Sequence, residues 1–139
     1  MKSTHRVHGF HCDLYGHVNN ARYLEFLEAA RWDLLRGHID IDEWHRRGWL
    51  FVVVRIEISY RKTAGLGDEL VIESVGGKVG SRSSSVHQVV SHAKDGARVA
   101  DATVTFVVLD EKTGRPMKLE GEIRRGLEQL GLDQESSSS

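Results

Sequence analysis

A loop that leads into a predicted helix carries the residues of this sequence best suited to chemistry. Asp13 lies in the loop, Gly16 allows it a tight bend, and Asn19 and Asn20 can cap a helix that follows. The first N–H groups of a helix have no partner within it and carry partial positive charge, so they can bind an oxyanion. A carboxylate facing such donors could catalyse acyl transfer. An Asp before a helix is also a common cap or turn former, so spacing alone leaves both roles open.

Motifs for several other chemistries are missing from the sequence. It has no Gly-x-Ser-x-Gly nucleophile turn, no phosphate-binding Gly-x4-Gly-Lys-Ser/Thr loop and no dinucleotide-binding glycine pattern after a strand. The glycine-rich residues 76–80 lie between two predicted strands, where they favour a hairpin whose glycines supply positive φ values. The spacing of the histidines matches no zinc pattern, so no metal site is expected.

Composition excludes further classes of protein. The 139 residues carry 19 Lys and Arg against 20 Asp and Glu, a net charge of −1, which argues against a nucleic-acid-binding protein that relies on positive charge. The longest apolar run, residues 49–54, has the length of a strand and not of a membrane span. The single cysteine, Cys12, cannot form an internal disulfide, and no apolar signal core follows the N-terminus. We therefore expect a cytoplasmic protein without nucleic-acid or membrane partners.

Apolar periodicity predicts three helices. The longest begins at caps Asn19 and Asn20 and ends at Gly37, with an apolar stripe of Tyr23, Leu24, Leu27, Ala30 and Leu34. Glu25 and Glu28 fall on what we interpret as its solvated side. A short helix is predicted over residues 42–47. A C-terminal helix has the stripe Leu119, Ile123, Leu127 and Leu130.

Alternation of apolar and polar residues predicts strands over residues 4–10, 50–61, 69–75, 83–92 and 97–109. In the last of these, one face holds Ala100, Ala102, Val104, Phe106 and Val108. The long helix must cover its apolar stripe, and the concave face of an antiparallel sheet is the simplest cover. The sequence therefore predicts one α+β domain over residues 1–132. The polar residues 133–139 are expected to form a disordered tail.

Residues 13–23 also resemble the signature of a known enzyme family. Their pattern, Asp-x-x-Gly-His-Val-Asn-Asn-x-x-Tyr, is similar to that of hotdog-fold acyl-CoA thioesterases of the 4-hydroxybenzoyl-CoA thioesterase type. Residues 23–32, 51–54, 58–61, 67–70 and 100–106 resemble the same family, so the similarity extends from about residue 5 to residue 130. It is closest to the bacterial long-chain branch. The resemblance implies an antiparallel sheet wrapped around one long central helix.

The resemblance also implies roles for particular residues. Asp13 falls on the catalytic carboxylate of the family, which acts as a nucleophile or as a general base for water. The backbone N–H of Asn20 falls on the oxyanion donor. His17 is a supporting residue that either orders the loop or takes a direct part. The family needs no metal or redox cofactor, so none is expected here.

The implied substrate is an acyl-CoA, whose phosphates require basic or polar residues near the mouth of the pocket. The candidates are Arg61, Lys62, Arg82 and Ser83. The acyl chain would lie between helix and sheet, among residues that could equally form a filled core: Phe26, Leu27, Phe51, Val54 and Ile56. The family implies a homo-oligomer, either a dimer or a tetramer of hotdog dimers, and exposed sheet edges favour one as well.

Two other functions stay open from the sequence. One is a hydratase or dehydratase of the same fold, which would need an acid–base pair, with His17 as the only candidate partner for Asp13. The other is a non-catalytic module that binds acyl-CoA or an acyl carrier, because a fold does not fix a function.

Overall fold

A computed structural model describes residues 1–137, with side chains described for residues 1–132. Its elements in chain order are β1 (Lys2–Arg6), a 3₁₀ turn (Gly9–His11), α1 (Asn20–Arg36), α2 (Ile41–Arg46), β2 (Trp49–Tyr60), β3 (Glu69–Val79), β4 (Ser84–His92), β5 (Arg98–Asp110), β6 (Arg115–Pro116) and α3 (Gly121–Ser137). The backbone of α3 is described to Ser137. The side chains of the predicted tail, residues 133–139, and all of its last two residues lie outside this description.

All described strands belong to one antiparallel sheet in the order β1-β3-β4-β5-β2, with β6 added to β5. Residues that lie opposite each other in neighbouring antiparallel strands point to the same face. Val104, Phe106 and Val108 of β5 lie opposite Ile56, Val53 and Phe51 of β2. All three β5 side chains are buried, and Phe106 and Val108 belong to a cluster that includes Leu34 of α1 and Leu127 of α3. The predicted apolar face of β5 and the α+β class are therefore confirmed.

The N-terminal strand is shorter than the sequence predicted. β1 ends at Arg6, and the chain then turns through Gly9–His11. The turn closes because the His11 N–H donates to the His8 carbonyl at 3.0 Å, while the His8 N–H donates to His11 Nδ1 at 2.9 Å. These bonds satisfy the backbone of the turn locally, so residues 8–10 do not continue the strand.

Helix α1 packs its N-terminal half on the concave face of the sheet. The side chain of Asn19 accepts from the Ala21 N–H at 2.9 Å and caps the helix, which ends at Gly37, as predicted. Leu27 and Ala30 are buried, with Leu70 and Ile72 of β3, in a cluster that also contains residues of β4 and β5. This burial fixes where the first turn of α1 lies relative to the sheet.

The glycine-rich residues 76–80 do not form the predicted hairpin turn. β3 runs on to Val79, none of these glycines has a positive φ, and the turn lies over residues 80–83. Gly76 instead lies under helix α3, where an added Cβ would come within 2.6 Å of the Cβ of Leu130. Leu127 and Leu130 of α3 are buried in a second apolar cluster with Leu34 and other residues. Position 76 therefore requires glycine because helix α3 packs directly on this part of β3.

Candidate active site

The Asp13 loop is a tight hairpin held by its backbone. Cys12 and Val18 pair as an antiparallel bridge, and the Asp13 N–H donates to the His17 carbonyl at 2.8 Å. Gly16 has φ of +77°, which an L side chain rarely adopts, so glycine is required at the tip. The hairpin is also joined to the loop after β2, because the Val18 N–H donates to the Ala64 carbonyl at 2.7 Å.

The Asp13 carboxylate lies in this exposed hairpin with one oxygen engaged. Its Oδ1 accepts from the backbone N–H of Tyr15 at 2.9 Å and of His17 at 3.3 Å. Among the described residues, Oδ2 has no hydrogen bond and Asp13 has no ion pair. The backbone therefore fixes the carboxylate and leaves one oxygen available to a substrate or a water molecule. His17 supports Asp13 through its main chain, while its own side chain is exposed.

Helix α1 begins directly after the hairpin. Asn19 donates its backbone N–H to the His11 carbonyl at 2.8 Å, and its side chain caps the Ala21 N–H. The N–H of Asn20 accordingly has no partner in the described part of the chain. In the next peptide unit, the hydroxyl of Tyr60 donates to the Asn20 carbonyl at 3.0 Å. The structure thus supplies a fixed, unsatisfied N–H where the sequence predicted an oxyanion donor.

A cleft of about 190 Å³ opens at this helix start. Its lining residues are Val18, Asn20, Tyr23, Tyr60, Arg61, Lys62 and Thr63. Burial raises the pKa of Tyr23 to about 12, and it also raises the pKa of Tyr60. Both phenols therefore keep their protons near neutral pH, so that Tyr60 can donate to Asn20 throughout that range.

Two of the four predicted coenzyme A contacts reach the cleft and two do not. Arg61 lies at the cleft and is paired with Asp101, Nε to Oδ2 at 2.8 Å, which lowers the pKa of Asp101. Lys62 lines the cleft without an ion pair among the described residues. Arg82 and Ser83 lie before β4, whereas the other end of β4 is beside the cleft, where His92 Nε2 lies 3.1 Å from the Thr63 carbonyl. A strand of that length separates them by roughly 27 Å, so within one chain they lie far from Asn20.

A second cavity, the trough, lies farther along α1 between the helix and β2. It has a volume of about 400 Å³ and is lined by Glu28, Arg31, Trp32, Leu35, Phe51, Val52, Val53, Val86 and Phe106. Phe51 lines it as the sequence predicted for an acyl channel, but Phe26 and Leu27 are buried core residues. Val54 is 57% exposed at an irregularity of β2, and Ile56 is half-buried.

Sequence reasoning missed Tyr60, Glu28 and Arg31. Tyr60 ends an alternating strand, and nothing local indicates that its hydroxyl reaches Asn20. Arg31 donates to Gln88 Oε1 at 3.2 Å, and Gln88 is fully buried, with its Nε2 donating to the Leu27 carbonyl and to Ser74 Oγ.

No group of three or more His, Cys, Asp or Glu residues that could hold a metal ion occurs in the part of the chain searched. Within that part, no helix combines the length and hydrophobicity that crossing a bilayer requires.

The antiparallel sheet and its central helix agree with the class of protein that the comparisons identify. The sequence model of the Thioesterase-like superfamily matches residues 8–127. The chain belongs to this superfamily and is a thioester hydrolase of the hotdog fold, as the resemblance implied.

Particular relatives narrow the class. The chain is 45% identical over 130 residues to the long-chain acyl-CoA thioesterase FadM of Escherichia coli strain K12, covering 94% of this chain and 98% of the relative. It superposes with a TM-score of 0.88 on the crystal structure of YbaW, a probable thioesterase from Escherichia coli, at 45% identity with 94% and 98% of the two chains covered. A thioesterase from Thermus thermophilus, complexed with coenzyme A and Zn, gives a TM-score of 0.80 at 28% identity, covering 94% and 92%.

Proposed function

We propose that this protein hydrolyses long-chain fatty acyl-CoA to a free fatty acid and coenzyme A. The observation that carries the proposal is the Asp13 carboxylate, which the backbone of its hairpin holds with one oxygen free of hydrogen bonds, together with the N–H of Asn20 at the start of α1 directly after that hairpin, which has no partner among the described residues. The 45% identity to a long-chain acyl-CoA thioesterase supports the choice of substrate.

The reaction adds one water molecule across the thioester bond. The C–S bond breaks, the acyl carbon gains an oxygen, and the proton released from water is balanced by protonation of the coenzyme A thiolate. Negative charge develops on the thioester oxygen in the transition state. The Asn20 N–H and the partial positive charge of the helix start stabilise that charge.

Asp13 fits two routes to the same products. As a general base it accepts a proton from water, and as a nucleophile it forms an acyl-Asp13 anhydride that water then hydrolyses. Turnover in ¹⁸O-labelled water followed by mass spectrometry of the Asp13 peptide tests the second route. Label in the Asp13 side chain identifies nucleophilic attack.

Coenzyme A is proposed to lie with its phosphates near Lys62 and Arg61. Lys62 is the better candidate, since Arg61 is paired with Asp101 while Lys62 has no ion pair among the described residues. Lys62→Ala should raise KM and leave kcat nearly unchanged, because it removes binding shared by the ground state and the transition state. Within one chain, Arg82 and Ser83 lie at the far end of β4 from the cleft and are not part of this proposed contact.

The trough is proposed to take the acyl chain. It begins about one and a half helical turns past the cleft along α1 and is lined mainly by apolar side chains. Each buried methylene contributes up to about 0.8 kcal/mol, so kcat/KM should rise steeply from acetyl-CoA towards palmitoyl-CoA and then flatten. Thiol release from such a series, with benzoyl-CoA alongside and substrates kept below their micellar concentrations, tests the assignment. A flat profile or a preference for benzoyl-CoA contradicts the long-chain substrate and leaves the thioesterase activity standing.

The other two functions give different results in the same assay. A non-catalytic module binds acyl-CoA without thiol release. A hydratase changes the double bond of an enoyl-CoA without thiol release and needs an imidazole beside Asp13, whereas His17 contacts Asp13 only through its backbone.

The homo-oligomer remains part of the proposal. β1 and β2 are the two edges of the described sheet, and an open edge is normally paired or protected. Light scattering tests it against the chain mass of 15.6 kDa. A cytoplasmic location stays a prediction from the sequence.

A further inference from the structure

A further cavity, the end cavity, continues the trough towards the C-terminal end of α1. It has a volume of about 260 Å³, and its walls come from helix α1, helix α2 and the start of β2. Trp32 and Phe51 line the trough and the end cavity alike, and the two cavities share no other lining residue. The rings of Trp32 and Phe51 therefore lie where the two cavities meet.

The cleft, the trough and the end cavity follow one another along the same two elements. On α1 they are lined in turn by Asn20 and Tyr23, by residues 28–35 and by residues 32–36. On β2 they are lined in turn by Tyr60, by residues 51–53 and by residues 49–51. The order is the same on both elements, so an acyl chain that enters at the Asn20 N–H and follows the trough points at Trp32 and Phe51.

The two rings of this partition are held differently. Phe51 lies between two buried rings, stacked on Trp44 and tilted against Phe106, with both centroid distances 5.6 Å. Trp32 is 36% exposed and has no aromatic ring against it among the described residues; the guanidinium of Arg36 lies 6.0 Å from its ring centre. Trp32 is therefore the side of the partition that a substitution can remove without opening the core.

The end cavity offers apolar surface beyond the partition. Trp49 and Leu50 of β2 and Ile41 of α2 line it. Its charged residues Arg36 and Asp42, whose side chains lie 3.8 Å apart, are both well exposed and can keep their charges in water. The apolar part of the cavity could accept the end of an alkyl chain if the Trp32 ring were absent.

The position of Trp32 along α1 can be compared with the length of an acyl chain. Trp32 is twelve residues past Asn20, which is about 18 Å along the helix axis. Carbon–carbon bonds of about 1.52 Å extend an alkyl chain by about 1.25 Å per carbon, so an octanoyl chain spans about 9 Å and a stearoyl chain about 21 Å. The first ends before Trp32, and the second extends past it.

We propose that Trp32 determines the length of acyl chain that the enzyme hydrolyses best, because its ring closes the trough at Phe51. Carbons that extend past the ring lose no contact with water and add nothing to kcat/KM. This inference rests on the proposed thioesterase function and names the residue at which the expected rise of kcat/KM with chain length ends.

Trp32→Ala tests the partition, since it joins the trough to the end cavity. Each methylene that becomes buried raises kcat/KM by up to about fourfold. The ratio of kcat/KM for stearoyl-CoA to kcat/KM for octanoyl-CoA should therefore rise at least about tenfold over the wild type. The value for octanoyl-CoA should stay within about twofold, because its chain does not reach residue 32. Thiol release under the conditions of the series described above gives both values.

Further variants make the result specific. Leu24→Ala changes a residue of the same helix that is equally exposed, at 37%, and lines neither cavity, so it should keep the wild-type ratio. Trp32→Ala combined with Leu50→Trp refills the end cavity from β2 and should bring the ratio back to within about threefold of the wild type. If Trp32→Ala does not fold, Trp32→Leu supplies the test with a smaller gain in the same direction.

Each outcome decides the proposal. A gain for stearoyl-CoA in Trp32→Ala that Leu50→Trp reverses is the expected result. A wild-type ratio in folded Trp32→Ala, or a gain that the refilled variant keeps, overturns the role of Trp32 while wild-type thiol release leaves the thioesterase function standing. A wild type that releases no thiol from any acyl-CoA of the series overturns the proposed function, and the role of Trp32 with it.

Discussion

The loop that leads into helix α1 and the C-terminal end of that helix are held in place by different forces. At its N-terminal end, Asp13 and Asn19 are positioned by backbone hydrogen bonds in a loop where Leu14 is 93% exposed. At its C-terminal end, Leu34 is fully buried in an apolar cluster with α3 and β5. The first end presents polar atoms to a ligand, and the second removes apolar surface from water.

The difference indicates how each end should respond to substitution. Main-chain bonds in the Asp13 hairpin depend on Gly16 and on short polar side chains, so a change there alters geometry and chemistry with little loss of buried area. The C-terminal end depends on the volume of its side chains, where a lost methylene leaves a cavity. Substitutions in the loop should therefore affect activity, and substitutions in the packed cluster at the other end of α1 should affect stability.

Asp13→Asn gives the largest expected effect at the chemical end. The amide oxygen can still accept from Tyr15 and His17, but the amide neither takes a proton nor attacks efficiently near neutral pH. We expect kcat to fall by about 10²–10⁴-fold, with acyl-CoA binding retained and the free energy of unfolding changed by less than about 0.5 kcal/mol.

A matched control exists for this substitution. Asp110 makes the same kind of bond to the residue two positions on, Oδ1 accepting from the Lys112 N–H at 2.9 Å, at the far end of β5. Asp110→Asn should leave kcat unchanged. A kcat near the wild-type value in Asp13→Asn would contradict the role assigned to Asp13.

Leu127→Ala, in helix α3, tests the apolar packing around the C-terminal end of α1. Leu127 is 1% exposed in the cluster that includes Leu34, so its truncation should lower the free energy of unfolding by about 2–5 kcal/mol. The folded enzyme should keep its kcat when assayed well below its melting temperature. Leu127→Met, which conserves volume, should cost less than about 1.5 kcal/mol. A fall in kcat of the size expected for Asp13→Asn would show that the two ends are coupled.

The sequence predicted features that short-range rules determine. The Asn19 cap, the stop at Gly37 and the alternating faces of β5 depend only on neighbouring residues, and the structure confirms them. Gly76 was misinterpreted because its small size is required by Leu130, which lies more than fifty residues away in the chain. Local patterns carry no information about such a contact.

The site residues also divide into those that neighbouring residues determine and those that distant parts of the chain determine. The Asp13 pattern locates the carboxylate and the helix start, because both belong to one local segment. Arg82 was assigned to the site with Arg61 because both are basic residues beside a strand. β2 and β4 both run antiparallel to β5, so the start of β4 and the end of β2 lie at opposite ends of the sheet. Strand order decides that placement, and the sequence gives no direct signal of it.

Tyr60→Phe is expected to have an intermediate effect at the chemical end. It removes the hydroxyl that donates to the Asn20 carbonyl and keeps the ring beside Tyr23. One such bond contributes about 0.5–1.5 kcal/mol, so a first helical turn held less firmly should lower kcat by up to about tenfold. KM should change little, which distinguishes positioning from binding. Tyr15→Phe, at a tyrosine 79% exposed, is the control and should behave like the wild type.

The smallest effect concerns His11, which links the N-terminal turn to the helix start. Burial, with contributions from His8 and Arg22, lowers the pKa of His11 below its usual value, and its Nδ1 accepts from the His8 N–H only while unprotonated. The unfolded chain therefore binds the proton first, so this stability is complete above about pH 6.5 and is lost as the pH falls through the lowered pKa. His11→Gln cannot be protonated and should flatten the decline in melting temperature between pH 7 and pH 5. Some decline should remain, because burial also lowers the pKa of His5. His45→Gln, at an exposed position, should keep the wild-type dependence of melting temperature on pH. The same dependence in His11→Gln would show that His11 does not contribute to it.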